Sequence, residues 1–323
     1  MWVEIVCGLL AYKIFKWFFY DGGDKLEAGL SDANVLFVVA KRLENIYGGK
    51  AFVGLRIPDQ DTSSHMNVDI VLVTNRDAVV ISVKNISGNV SVCGDGSWVC
   101  ETVERHKTQH LQDPVEEIKK QALVLESYLE RRGLQLPEGY LSYKVLLPNP
   151  QFQTAYSSYL PPEVITYEQW SQLKTDQKLK IPHWLKSAFS GNKKEMDKSI
   201  LEKLSAVLRT TPMWDRLELS NKYILGEFVE FQGKQDDLLM LKQIKRSKVS
   251  HLTIQKTSML GFAPSKLQVL YWPLDYRSET GSSSSAWNEA TVSSSTEIVF
   301  QPKNDSKPRK FKLSSVISLS LSV

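Results

Sequence analysis

The stretch NVDIVLVTNRDAVVISVKN, residues 67–85, decides the fold. Val68 to Val73 and Ala78 to Asn85 are runs rich in Val and Ile, and the polar residues Thr74-Asn75-Arg76-Asp77 separate them. Two β-branched runs around a short polar turn predict paired strands. Side chains alternate along a strand, so Ser82 and Lys84 share a face, and a hairpin can bring Asp69 onto it.

Working outward, apolar residues recur near a 3.6 period within Asp24 to Asn45, which predicts a helix ended by Tyr47-Gly48-Gly49. Ala51 to Ile57 reads as a strand closed by Pro58. On the other side, Asn89 to Cys93 and Ser97 to Thr102 form a predicted hairpin around Gly94-Asp95-Gly96, and Arg105 to Gln112 reads as polar loop. Asp113 then caps a helix with Pro114 at its first position, running to Arg132. Tyr143 to Leu147 is a further strand. Helix, strands, helix, strand is the order of an α/β sandwich.

An acid on one strand facing a lysine on its neighbour can carry metal-dependent hydrolysis. Carboxylates hold Mg²⁺, and the lysine positions or activates the attacking water. The plainer alternative is that Asp69 caps a strand end or pairs with Lys84, with no metal, while Ser82 is simply a small polar strand residue. The Asp-Ile-Val-Leu-Val strand, the Val-Val-Ile-x-Val-Lys-Asn strand, Ser87-Gly88-Asn89-Val90, Trp98 after a Gly-Asp-Gly turn, and Asp113-Pro114 opening a helix together resemble a nuclease-related (NERD) domain. The resemblance implies a PD-(D/E)xK-type fold, with a restriction-endonuclease-like α/β sandwich core followed by a smaller β-rich C-terminal domain. Whole chains with a short apolar N-terminus and a β-rich tail resemble plant members of that family. It also implies catalytic positions at Asp69, residue 82 and Lys84, with Asp69 as the metal ligand and Mg²⁺ as the cofactor.

The chain departs from the family pattern at residue 82, where the resemblance implies Glu and the sequence has Ser82. A neutral hydroxyl is a poor ligand for a hard cation. Glu117, Glu27 and Asp32 are candidate replacement acids. The expected function is therefore a nuclease-fold protein with a non-catalytic or impaired site, acting as a binding or scaffolding module. The alternative is an active Mg-dependent nuclease on DNA or RNA, using Asp69, Lys84 and a relocated acid.

Residues 151–213 read as a mixed helical extension to the 21–150 domain. They hold a strand at Val164 to Thr166 and helices near Tyr167 to Leu173 and Lys194 to Leu208. From residue 214 to 323 the texture becomes β-rich, with strands at Tyr223 to Phe231, His251 to Gln255, Leu267 to Trp272, Glu297 to Gln301 and Lys310 to Leu319. Ser278 to Ser295 reads as a Ser-rich loop. Within the β-rich part, Lys242, Lys245, Arg246 and Lys248 are the candidate phosphate contacts for a nucleic-acid partner.

The net charge of +4 is unevenly spread. Residues 21–150 hold 14 Lys and Arg against 18 Asp and Glu, whereas residues 151–323 hold 24 against 17. The nuclease-like part therefore lacks the basic excess of a domain that grips phosphates unaided. Cys7, Cys93 and Cys100 form no CxxC pair, which excludes a zinc framework of that kind. His65, His106 and His110 have no metal-ligand spacing. Residues 1–20 are mostly apolar and aromatic, interrupted by Glu4, Lys13 and Lys16. They read as an anchor or interfacial helix that would place the protein at a membrane with its domains in the cytosol; the alternative is a packed first helix in a cytoplasmic protein.

Overall fold

The computed structural model describes residues 32–60, 62–102, 107–154, 160–173, 196–220, 222–256, 266–273 and 287–322. The apolar segment 1–20, the start of the predicted first helix, Glu27, Cys7 and His106 lie outside the described residues. Among the described residues, no helix is long and apolar enough to cross a membrane.

The opening stretch forms the centre of a five-stranded sheet. Helix α1 (Asp32–Tyr47) leads into β1 (Lys50–Pro58), β2 (His65–Val73) and β3 (Ala78–Val83), which pair antiparallel in that order. The turn predicted at 74–77 is closed by Thr74 N–H donating to Asp77 O at 2.9 Å. Strands β7 (Leu141–Leu146) and β9 (Val164–Ile165) extend the sheet in parallel beyond β3. Residues 78–82 are all buried, as expected of a central strand covered on both faces.

Helices cover both faces, which confirms the α/β sandwich. On one face Val35, Val39 and Leu43 of α1 pack against Ile70, Leu72, Val79 and Ile81. On the other, Ile118, Ala122, Leu125 and Leu129 of α2 (Pro114–Arg131) pack against Val71, Val73 and Val80. The predicted cap is present: the Asp113 carboxylate accepts from Val115 and Glu116 N–H. By alternation, Ser82 takes the α2 face with Ala78 and Val80. Alternation breaks in β2 between Val68, which packs on the α2 side, and Ile70, which packs on the α1 side, and Asp69 between them lines a cavity with Leu36 of α1 and Leu225.

A second sheet joins β6 (Lys107–Leu111), β5 (Trp98–Thr102), β4 (Gly88–Val92) and β8 (Phe152–Gln153). The polar loop expected at 105–112 is thus a strand over 107–111. Its residues Lys-Thr-Gln-His-Leu form an edge strand with few apolar side chains, so no alternation announced it. His110 lies on it opposite Val99. Cys93 is exposed and Cys100 is buried; both are free thiols, and burial pushes the Cys100 thiol up.

After α3 (Tyr167–Gln172) and α4 (Lys198–Arg209), the chain builds an eight-stranded antiparallel sheet. Its members are β10 (Asp215–Leu219), β11 (Lys222–Gln232), β12 (Val249–Lys256), β13 (Lys266–Pro273), β14 (Asn288–Ser293), β15 (Glu297–Pro302), β16 (Arg309–Lys312) and β17 (Val316–Ser320). Helix α5 (Gln235–Leu241) follows β11. Two sequence readings need correction. The loop expected at 278–295 contains β14, whose Ala290 and Val292 face the core between exposed neighbours. The single strand expected at 310–319 is two strands, split by a 3₁₀ turn at Leu313–Ser315 that buries Leu313.

The eight-stranded sheet is tied to the first through β1. Leu55 bridges Met213, Arg56 N–H donates to Pro212 O at 2.8 Å, and Trp214 N–H donates to Gly54 O at 2.9 Å. Gly54 has φ 72°, a conformation that favours glycine. Arg56 also lies 4.2 Å from the Trp214 ring centroid and pairs with Glu227 on β11.

Candidate functional site

The β2–β3 ladder runs from Val73↔Ala78 to Ile70↔Ile81. There the ladder ends, and the Asp69 side chain replaces it: Oδ2 accepts from the Val83 backbone N–H at 3.0 Å. The second oxygen, Oδ1, lies 3.7 Å from Lys303 Nζ. Lys303 comes from the turn between β15 and β16, far along the chain.

That turn is fixed by its own contacts. Lys303 N–H donates to Leu225 O at 2.8 Å, Asp305 N–H donates to Pro302 O at 3.1 Å, and Arg309 pairs with Asp305 at 2.7 Å. The Lys303 and Asp69 side chains are only 27% and 20% exposed, so their attraction is less screened than that of a surface pair. Lys303 is therefore held against Asp69 by the frame of the C-terminal sheet.

Ser82 and Lys84 have separate fates. Ser82 is 1% exposed, and its Oγ has no hydrogen-bond partner among the described residues. Lys84 lies just past β3, where its N–H donates to Leu146 O at 2.9 Å. Its Nζ donates to Glu117 Oε2 at 2.7 Å, and Gln121 Nε2 donates to the other Glu117 oxygen at 3.3 Å. Glu117 stands in the first turn of α2, where the helix N-terminus favours a carboxylate. Asp32 accepts from Asn85 Nδ2 at 3.2 Å, and Asn85 accepts from Asn149 at 3.0 Å. Asp32, Asp69, Lys84, Asn85, Lys303 and Arg309 share the lining of one open cavity of about 700 Å³.

A hard divalent cation needs several oxygen ligands and net negative charge around it. Asp69, Lys303, Lys84 and Glu117 instead form two ion pairs whose formal charges cancel. No group of three or more His, Cys, Asp or Glu among the described residues could hold a metal ion. The side chains as they stand do not fit a resident divalent metal at Asp69.

The basic run in the tail divides in two. Lys242, Lys245 and Lys248 are exposed, whereas Arg246 docks onto Asp215. Asp215 is buried at the start of β10, where its carboxylate accepts from Phe228 N–H and Ser322 N–H, each at 2.7 Å, as well as from Arg246. Burial pushes the Asp215 carboxyl up, and these hydrogen bonds and the Arg246 charge pull against that rise. Arg246 thus has a structural partner, while its three lysine neighbours face solvent. Sequence reading missed Lys303, since nothing near residue 303 signals a partner at residue 69.

A mixed sheet with a helix on each face, carrying an acid on one inner strand and a lysine just beyond its neighbour, defines a nuclease-like α/β core. Residues 32–148 match the family model of the nuclease-related domain, NERD, so the chain carries that domain within this core. No curated protein and no solved structure matches the chain.

Proposed function

We propose that the nuclease-related domain of this protein is a non-catalytic or impaired member of its class that acts as a binding or scaffolding module. The observation that carries this reading is the Lys303 ammonium beside Asp69, the carboxylate that a metal-dependent hydrolase would use. Nuclease-related domains generally bind a divalent metal. Here an internal cation stands beside Asp69, and Ser82, at the end of β3, carries a buried hydroxyl in place of an acid. Nucleic acid remains the partner that the domain class suggests, bound without cleavage.

A second reading rests on Glu117. Its carboxylate meets Lys84 from α2, so a carboxylate–lysine pair exists although residue 82 supplies no acid. On that reading Glu117 is the relocated acid of a Mg-dependent nuclease acting on DNA or RNA. Incubating the purified chain with single- and double-stranded DNA and RNA in Mg²⁺ or Mn²⁺ separates the two. The first reading predicts no cleavage above that of an Asp69→Ala variant. Cleavage lost in both Asp69→Ala and Glu117→Gln would establish the second.

A further inference from the structure

A second cavity, of about 780 Å³, lies between α1 and β1 on one side and the eight-stranded sheet on the other. Four cations reach it: Lys41 from α1, Lys50 from β1, Arg209 from the end of α4, and Arg216 from β10. None of the four has a carboxylate partner within ion-pair distance among the described residues. Glu44 is the one acid in the lining, and its Oε1 accepts from Ala51 N–H at 2.8 Å. Glu218, two residues along β10 from Arg216, accepts from the Tyr223 and Ser318 hydroxyls. Unpaired positive charge is therefore concentrated in this cleft.

Aromatic rings hold part of that charge in place. The Arg216 guanidinium lies 5.1 Å from the Phe37 ring centroid and 5.8 Å from that of Tyr223. Its Nε is buried and has no hydrogen-bond partner among the described residues. A guanidinium positioned by rings is preorganised to pair two oxygens of an oxyanion such as phosphate, because its N–H donors stay directed along its own plane. Lys50 sits over Phe52 at 5.3 Å. Between the cations the lining is apolar, with Val38, Val53, Met213 and Leu225. A bare inorganic anion would leave those walls unused, and a neutral apolar ligand would leave the cations unpaired.

We propose that this cleft binds a nucleoside phosphate, either free or at the end of a nucleic-acid strand. The phosphates meet Lys41, Lys50, Arg209 and Arg216, while the flat base lies against the apolar and aromatic wall. The volume lies in the range of small-ligand sites. The cleft adjoins the Asp69 cavity, sharing Tyr223 and Leu225 with it, but Asp69 is not in its lining, and the proposal stands whether or not Asp69 is catalytic.

The test is calorimetric titration of the full chain with ADP, with a 5′-phosphorylated dinucleotide, and with pyrophosphate as a charge-only probe. ADP or the dinucleotide is expected to bind at least about tenfold more tightly than pyrophosphate, since base contacts add to phosphate contacts. Whichever of the two binds more tightly identifies the free or the strand-borne form. Lys41→Ala and Arg209→Ala, both at exposed positions, are each expected to weaken that binding about tenfold by removing a charged contact. Lys245→Ala, outside the cleft, should leave it unchanged. Absence of binding by both nucleoside phosphates, equal binding of pyrophosphate, or indifference to both substitutions would overturn the proposal.

Discussion

Four cations line the cavity at Asp69: Lys84, Lys303 and Arg309 are each matched by a carboxylate, namely Glu117, Asp69 and Asp305, and exposed Lys222 has none within ion-pair distance among the described residues. Lys41, Lys50, Arg209 and Arg216 line the adjoining cleft, which shares Tyr223 and Leu225 with that cavity, and none of them has a carboxylate within ion-pair distance among the described residues. Both cavities lie between the nuclease-related domain and the eight-stranded sheet, and both are rich in basic side chains. The difference lies in what the chain does with that charge. At Asp69 the protein satisfies itself, so an incoming ion or phosphate must break an existing pair. In the cleft an anion gains contacts without displacing a carboxylate. Counting lysines and arginines along the sequence cannot separate these cases, because pairing is a property of the fold.

The tail's basic run sharpens this contrast with the largest expected effect. Arg246 compensates Asp215, whose side chain is 1% exposed. Asp215 is buried but Arg246 is 42% exposed, and Asp215 keeps its two backbone N–H bonds, so Arg246→Ala should lower unfolding stability by about 1–2 kcal/mol. Lys242→Ala and Lys245→Ala, on exposed side chains, should each stay within about 0.5 kcal/mol. Urea unfolding of the three variants measures this. Equal, small losses for all three would show that Arg246 is as free as its neighbours.

A smaller effect of opposite sign is expected at Ser82. Its buried Oγ lacks a partner among the described residues, and burying an unsatisfied hydroxyl is unfavourable. Ser82→Ala should leave stability unchanged or raise it by up to about 1 kcal/mol in the same unfolding measurement. A clear loss would mean that the hydroxyl has work to do in the folded protein.

The parts of the fold legible in the sequence are those where local signals agree. Val and Ile runs flanking Thr74-Asn75-Arg76-Asp77 announced the β2–β3 hairpin, and Asp113-Pro114 announced the start of α2. Strand β6 carries Lys107-Thr-Gln-His-Leu111 at a sheet edge, and β14 has only Ala290 and Val292 facing the core, so neither shows strong periodicity. Leu313 turns inward on a 3₁₀ turn and breaks the strand read through it. In the site, the α2 face of Ser82 follows from alternation, but the face expected for Asp69 does not, because Val68 joins the α2-side core and the alternation of β2 breaks there. Glu117 is among the acids expected near this site, and the structure sets it against Lys84. Two contacts between distant segments stayed hidden: Lys303 at Asp69 and Arg246 at Asp215.

The central claim is that the cation at Asp69 is part of the chain. Calorimetric titration with Mn²⁺ of the wild type, Lys303→Gln, Ser82→Glu and the double variant tests it, with thermal unfolding of each to confirm folding. The wild type should show no Asp69-dependent Mn²⁺ binding. Lys303→Gln removes the competing ammonium, and Ser82→Glu adds the carboxylate that a hard cation requires. The double variant should bind at least about tenfold more tightly than either single one, because removing a like charge and adding an opposite one act on the same ion. Micromolar Mn²⁺ binding by the wild type that disappears in Asp69→Ala would contradict the account, as would a folded double variant that binds no better than the wild type.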